Sequence, residues 1–376
     1  MTISDIVDKT KAYYCLDCGI CTGSCPVSRV TQDFSPRLMV EKALIGEAES
    51  PYDDVNIWSC LSCGQCSQRC PSKIDYPEFV RQVRKAAVTE GHSGIPAHRG
   101  LFQGVMRLQT LDVKQNKTDW AREAGKIAES GDTYYFVGCA PYFDVEFRED
   151  WAIDVMEGPR GVLKVLNAIG IEPVVHDDER CCGHDLMWNG DYENFAKLAR
   201  LNVDLIKSLG CKRVVFQCPE GYQTFKKYYP EVVGELDFEV VHFYELLAKE
   251  FEQGRFSFEP LDGVYTFHDP CRLGRQAGIM DAPRALLQGV PGLKLIEMEH
   301  NRENGICCGT SAWMSCSSCS KEIQKSRLRE AIAVGAGHLV TACTKCRLHL
   351  NCALRDVEMD LKIVDLNDIL ARSIKV

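Results

Sequence analysis

The run Cys15-x2-Cys18-x2-Cys21-x3-Cys25-Pro26 returns further along the chain as Cys60-x2-Cys63-x2-Cys66-x3-Cys70-Pro71. Three thiols two residues apart can wrap one face of an iron–sulfur cube, and a fourth, held away by a proline turn, reaches a second cube. The spacing therefore predicts two [4Fe–4S] clusters that exchange their fourth ligands. Cys15, Cys18, Cys21 and Cys70 are expected on one, and Cys60, Cys63, Cys66 and Cys25 on the other. Zinc knuckles are the competing reading, but a zinc ribbon separates two cysteine pairs by a longer hairpin, whereas each run here packs its ligands into one short stretch.

Composition fits that chemistry. The chain has 376 residues and 21 cysteines, an odd number mostly in metal-ligand spacings, which argues against a disulfide framework and for clusters assembled in a reducing, anaerobic cytoplasm. The first ten residues lack the basic and apolar regions of a secretory signal, and no apolar run reaches the roughly 18 residues a membrane span needs. A net charge of −9 with 26% charged residues argues against nucleic acid as a partner, because phosphate binding needs a basic face. Membrane contact is expected only through another subunit.

Between the runs, Ser35-Pro36 and the following residues read as a short helix capped by Ser35 and stopped by Gly46, and Asp75 opens a second that Gly91 ends. Phe79, Val83, Ala86 and Ala87 repeat at helical period, so this second helix can lay an apolar stripe over the cluster loops. Residues 1–111 are expected to form an α-helical ferredoxin-like domain, and the polar stretch 112–132 a linker.

Beyond the linker the chain repeats itself. The first copy predicts a strand at 134–139, a helix near 158–169, a strand at 171–175, the pair Cys181-Cys182-Gly183, a helix over 192–209 and a strand at 213–218. The second predicts a strand at 264–271, a helix near 282–288, a strand at 293–297, the pair Cys307-Cys308-Gly309, a helix over 320–334 and a strand at 338–343. From Cys182 to Cys218 is 36 positions and from Cys308 to Cys343 is 35. Strands alternating with helices imply two α/β domains built from parallel βαβ units, at 133–255 and 256–376, with sites at the carboxyl ends of the strands.

The second copy offers Cys271, Cys307, Cys308, Cys343 and Cys346, one thiol more than a cube has iron corners. Adjacent cysteines diverge unless a turn folds them together, which Gly309 permits. At this point the chain resembles the cysteine-rich CCG domains of heterodisulfide reductases, and its front runs resemble that family's ferredoxin-like subunit. The resemblance covers most of residues 13 to 352, in the fused arrangement of the D-type subunit and of iron–sulfur subunits of related complexes. It implies a non-cubane [4Fe–4S] cluster on the five-cysteine set that cleaves a disulfide, with Cys307, Cys308 and Cys346 as catalytic residues.

The first copy departs from this pattern. It has Cys139, Cys181, Cys182 and Cys218, but Gly221 stands where Cys346 would match. Four thiols suit zinc or an ordinary [4Fe–4S] cluster, and a degenerate empty pocket is the third possibility. Cys316-x2-Cys319 reads as the start of a helix or as a redox dithiol, and Cys211 and Cys352 as small buried hydrophobes. His184 and His268 adjoin metal cysteines, as proton donors or as hydrogen-bonded neighbours. Arg272, Arg275, Lys345 and Arg347 bring positive charge to the second site, for an anionic substrate or to offset an anionic cluster.

No G-x-G-x-x-G follows a predicted strand and no P-loop motif occurs, so electrons must arrive from a flavoprotein or another redox subunit. The expected function is an iron–sulfur electron-transfer subunit of a heterodisulfide reductase-like complex, passing electrons through two cubanes to a centre that reduces a disulfide. The alternative is a pure relay to a separate catalytic subunit, of the kind the resemblance associates with class II benzoyl-CoA reductase, sulfite-reduction or hydroxy-acid dehydrogenase complexes.

Overall fold

A computed structural model describes residues 2–45 and 56–376; Gly46, the expected helix stop, lies outside the described residues. Backbone contacts divide the chain into two units. One comprises Met1–Arg107, Gly183–Phe195 and Ile306–Arg327, and the other Leu108–Cys182, Ala196–Gly305 and Leu328–Val376.

The first unit is helical, and its caps are local. Thr2 Oγ1 accepts from the Asp5 amide at 3.2 Å while the Asp5 carboxylate accepts from the Thr2 amide at 2.8 Å, a capping box that starts helix Ile3–Lys9. Ser35 Oγ accepts from the Leu38 amide at 3.3 Å at the head of helix Pro36–Ile45. Asp75 accepts from the Glu78 amide at 3.2 Å and opens helix Tyr76–Thr89, whose Phe79, Val83 and Ala87 are fully buried. Each cysteine run also contains one turn of helix, Ile20–Ser24 or Gln65–Arg69. Both turns start at a glycine of positive φ, Gly19 at 73° and Gly64 at 79°, a conformation only glycine adopts without strain. Both end at a cysteine with extended backbone, Cys25 or Cys70, as a following proline requires.

The second unit holds two parallel sheets. Thr133–Phe136, Arg213–Phe216 and Glu239–His242 pair in that order, and Leu293–Leu295, Gly263–His268, His338–Thr341 and Lys362–Asp365 in that order. Crossover helices, Glu157–Ala168 and Asp281–Gln288 among them, join strands that run the same way. The first strand is buried at every position, as a strand covered on both faces should be. The expected strand at 171–175 is a correction: only Val174 bridges, its amide donating to the Thr133 carbonyl at 2.8 Å and its carbonyl accepting from the Tyr135 amide at 2.9 Å. Pro173, with no N–H, stops a longer ladder. With Val174 counted as an edge, the two sheets share one strand order.

Each sheet ends in an edge strand absent from the sequence reading, Glu239–His242 or Lys362–Asp365, fourth in order once the Val174 edge is counted, and each leads directly into a helix, Phe243–Glu252 or Leu366–Ser373. Within the polar stretch 112–132 stands a short helix, Asp119–Ala124, preceded by a buried Lys117 and Thr118.

Candidate functional site

In the first unit the two cysteine runs interleave. Cys15, Cys18, Cys21 and Cys70 line one cavity together with Cys66, Pro36 and Tyr76. Cys25, Cys60, Cys63 and Cys66 line a second, again beside Tyr76. The fourth thiol of each run thus sits in the cavity of the other. Among the described residues no histidine or carboxylate lines either cavity, and soft thiol donors alone are the set that takes iron–sulfur clusters. Burial, then the neighbouring Cys60 and Cys63, pushes the Cys66 thiol far above its usual range, and burial does the same more mildly at Cys21 and Cys25. Thiols this close shed their protons only when metal cations take the protons' place.

Two groups tune the second cavity. The Ser62 amide donates to Cys60 Sγ at 3.3 Å. Arg84, fully buried, donates from Nε and Nη2 to the Ile57 carbonyl at 2.8 and 2.6 Å, from Nη2 to the Cys60 carbonyl at 2.7 Å and from Nη1 to the Trp188 carbonyl at 3.0 Å. Its fixed positive charge stands beside the Cys60 loop. Sequence reasoning missed Arg84; a charged residue on the buried stripe of the Tyr76–Thr89 helix was its signal.

The second unit builds its thiol sites on strand ends. Cys139, Cys182 and Cys218 line a cavity with Phe136, Glu220, Gly221 and Lys345. Cys181 is absent from that lining but its backbone is fixed: its amide donates to Gln109 Oε1 at 2.8 Å and its carbonyl accepts from Asn202 Nδ2 at 3.1 Å. The Cys182 carbonyl accepts from the Tyr229 hydroxyl at 3.1 Å. Glu179 ties this loop to the first strand, accepting from the Gly138 amide at 2.7 Å, the Val137 amide at 3.2 Å and the buried Lys117 ammonium at 3.1 Å. At Gly221 a Cβ would stand 3.2 Å from the Phe216 ring. Phe216 packs with Phe136 and Phe225 at ring distances of 5.1 and 4.7 Å, so a Cβ at Gly221 would press on an aromatic cluster.

Burial pushes the Cys218 thiol up, and nearby Cys343 adds to it, while Lys345 opposes. Cys343 and Cys346 are buried at the head of helix Thr344–Leu354. Cys271 follows Asp269, which Arg284 grips through two hydrogen bonds of 2.8 and 2.9 Å. Arg284 also binds Glu297 at 2.5 and 2.9 Å, and Asp269 accepts from the Arg302 amide at 2.7 Å.

Cys307 and Cys308 are buried in the first unit, and there Gly309 has φ 81° and would bring a Cβ within 2.7 Å of the Ser320 carbonyl. The expected positive groups hold the protein itself. Lys345 is ion-paired with Glu220, Arg347 with Glu157 at 2.5 Å, and Arg275 donates to the carbonyls of Glu303 and Gly305. Arg272 donates to Gln276 at 2.6 Å. His184 and His268 are buried, Cys211 is buried and Cys352 half-buried. Cys316 is exposed and Cys319 half-buried at the start of helix Ser318–Ala333.

Residues 11–74 match a 4Fe-4S dicluster domain, and residues 133–226 and 265–351 each match the cysteine-rich domain CCG. The D-type subunit of dihydromethanophenazine:CoB–CoM heterodisulfide reductase from Methanosarcina mazei is 29% identical over 69% of this chain, which spans 63% of that protein's length. EtfAB:quinone oxidoreductase from Syntrophomonas wolfei is 25% identical over 80% of this chain and 44% of its own. A hypothetical protein from Helicobacter pylori shares the fold, with a TM-score of 0.55 over 99% of this chain and 77% of that one at 10% identity. Among the described residues no helix is long and apolar enough to cross a membrane. With a dicluster domain in front of two cysteine-rich domains, the chain is a heterodisulfide reductase-like iron–sulfur protein.

Proposed function

We propose that the chain is an electron-transfer subunit of a heterodisulfide reductase-like complex, with modules at 1–111, 133–255 and 256–376. The observation that carries the reading is the exchange of Cys25 and Cys70 between two thiol-lined cavities. Cys15, Cys18, Cys21 and Cys70 hold one cubane and Cys60, Cys63, Cys66 and Cys25 the other, which supply one-electron transfer when bound. The five cysteines Cys271, Cys307, Cys308, Cys343 and Cys346 hold a third, non-cubane cluster; this assignment rests on the motif. Cys139, Cys181, Cys182 and Cys218 make a structural zinc or cluster site. Electrons come from a flavoprotein or another redox subunit on the cytoplasmic side, and the substrate is a disulfide or its thiols.

The chain's own residues set the geometry. Arg84 and the Ser62 amide place positive charge and a donor at the Cys60 loop, and the Arg284–Asp269 pair fixes the approach to Cys271. A second reading, a relay that hands electrons to another catalytic subunit, is favoured by the aromatic filling beside Gly221, which leaves one complete five-thiol set instead of two.

Anaerobically purified protein should carry about twelve iron atoms and two interacting S = 1/2 centres on reduction. A fragment of residues 1–110 that binds zinc and no iron would sink the two-cubane assignment. Native purification should bring down a redox partner, and a lone chain that reduces a disulfide with NADH would overturn the subunit reading.

A further inference from the structure

Cys316 and Cys319, separated by two residues in the manner of a redox dithiol, belong to none of the ligand sets above. Ser317 heads helix Ser318–Ala333: its carbonyl accepts from the Lys321 amide at 3.1 Å and its amide donates to Ser320 Oγ at 2.8 Å. Ser317 separates Cys316 from this 16-residue helix, and Cys319 lies in its first turn. Cys-x-x-Cys is the spacing of thiol–disulfide exchange pairs.

The second observation is the space in front of Cys316. A cavity of about 400 Å³ opens there, lined by Trp58, Ser59, His92, Ile95 and Cys316 within the first unit. That volume lies in the range of small-molecule sites. Its floor is continuous with the second cysteine run, since Ser59 adjoins Cys60 and Ser315 Oγ donates to the Trp58 carbonyl at 3.0 Å. One wall is a short antiparallel contact in which the Ala97 amide donates to the Trp313 carbonyl at 2.7 Å and the Ser315 amide to the Ile95 carbonyl at 3.1 Å. Ile95 is 81% exposed and offers apolar contact at the rim.

We propose that Cys316 and Cys319 form a thiol–disulfide exchange centre, separate from the cluster ligands, that acts on a small disulfide bound in this cavity. The Cys316 thiolate attacks one sulfur of the ligand; a sulfur–sulfur bond forms, the ligand's own breaks, and one half leaves as a thiolate that takes up a proton. The Cys319 thiolate then attacks Cys316 Sγ and releases the other half, leaving a Cys316–Cys319 disulfide. Two electrons pass from the dithiol to the ligand. Return of the dithiol takes two electrons and two protons, the electrons arriving singly from an iron–sulfur donor, and only this return step rests on the function proposed above.

The exchange is tested on the full-length, anaerobically purified protein with oxidised glutathione as the probe, followed by acid quench, alkylation and peptide mapping. The intact protein should lose alkylation at both Cys316 and Cys319 through a link between them. Cys319→Ser should instead retain one glutathionyl group on Cys316, and Cys316→Ser should give neither product, with the iron content of both variants unchanged. The proposal is overturned if both cysteines of the intact protein stay fully alkylated, if Cys316 carries glutathione to the same extent with and without Cys319, or if either variant loses iron. The first two outcomes leave the cluster assignment untouched, so the two readings fail separately.

Discussion

The two CCG repeats share one strand order and place their cysteines at matching strand ends, yet they differ in what surrounds the first and fourth cysteines. Two residues before Cys218 stands Phe216, and two before Cys343 stands Thr341. Three before Cys139 stands Phe136, and three before Cys271 stands His268. The first repeat has thus paired the loss of a fifth thiol with two aromatic rings, and the second keeps smaller or polar groups where its cysteine set is complete. The lesson is that Gly221 is one part of a coordinated repacking, because a Cβ there meets the Phe216 ring at 3.2 Å.

The hardest break of this comparison is Cys346→Gly, which imposes the first repeat's residue on the second. It should abolish turnover and the oxidised-state signal of the third cluster while both front centres keep their spectra, read by EPR. Cys218→Ser should cost metal or stability and leave that signal in place. If the Cys218 variant loses the signal and the Cys346 variant keeps it, the active repeat has been assigned the wrong way round.

The converse change sharpens the point. Phe216→Thr combined with Gly221→Cys rebuilds a five-cysteine set in the first repeat and should raise iron by up to about four atoms per chain with a new oxidised-state signal. Gly221→Cys alone should leave iron content as it was, since the ring still occupies the space. The double variant gives up an aromatic in the core, a loss of about 3 kcal/mol, so its iron content is measured on the fraction that remains folded. Unchanged iron in a folded double variant would show that aromatic packing is not what separates the repeats.

The repeats also anchor their first cysteine by different means. In the first, Glu179 reaches from the paired-cysteine loop to the amides of Val137 and Gly138. In the second, Asp269 sits on the strand-end loop itself and is gripped by Arg284. Arg284→Met leaves the carboxylates of Asp269 and Glu297 without their shared cation, Asp269 being almost wholly buried, and should destabilise the chain by about 3–5 kcal/mol in thermal or denaturant unfolding. A loss under about 1 kcal/mol would mean that Arg284 is incidental to the fold.

Much of this was legible in the sequence because cysteine spacing and helix caps are local. The runs at 15–26 and 60–71, the caps Ser35 and Asp75 and the pairs followed by Gly183 and Gly309 all carry their signal within a few residues. The fourth strands were missed, although 239–248 and 362–371 align as Glu-Val-Val-His-Phe-Tyr-Glu-Leu-Leu-Ala and Lys-Ile-Val-Asp-Leu-Asn-Asp-Ile-Leu-Ala. That repeat contains no cysteine, and a search led by thiols passes over it. Arg84, Glu179 and Arg284 were missed for a different reason: their partners are distant in sequence, so even Arg84, a charge on an apolar helix stripe, does not show which carbonyls it holds.

The smallest test concerns the ends of those fourth strands, where His242 and Asp365 occupy matching positions and both cap the next helix, accepting from the Tyr244 amide at 3.3 Å and the Asn367 amide at 2.9 Å. Burial moves them in opposite senses. It lowers His242 to about 3, with Lys226 adding to the effect, and raises Asp365, against which Arg347 works. His242 is therefore neutral in the folded chain and protonated in the unfolded chain between about pH 6.5 and 3, so its contribution to stability is present above pH 6.5 and is lost on acidification. Asp365 contributes in the other sense: stability is fully present below the usual carboxylate range and falls as pH rises through the raised value. His242→Asn keeps a capping acceptor and removes the titration, so relative to the parent it should gain about 1 kcal/mol per pH unit below 6.5 in anaerobic thermal unfolding. Asp365→Asn should gain at neutral pH and converge on the parent as pH falls. Parallel pH profiles for parent and both variants would show that the two matching caps are electrostatically equivalent after all.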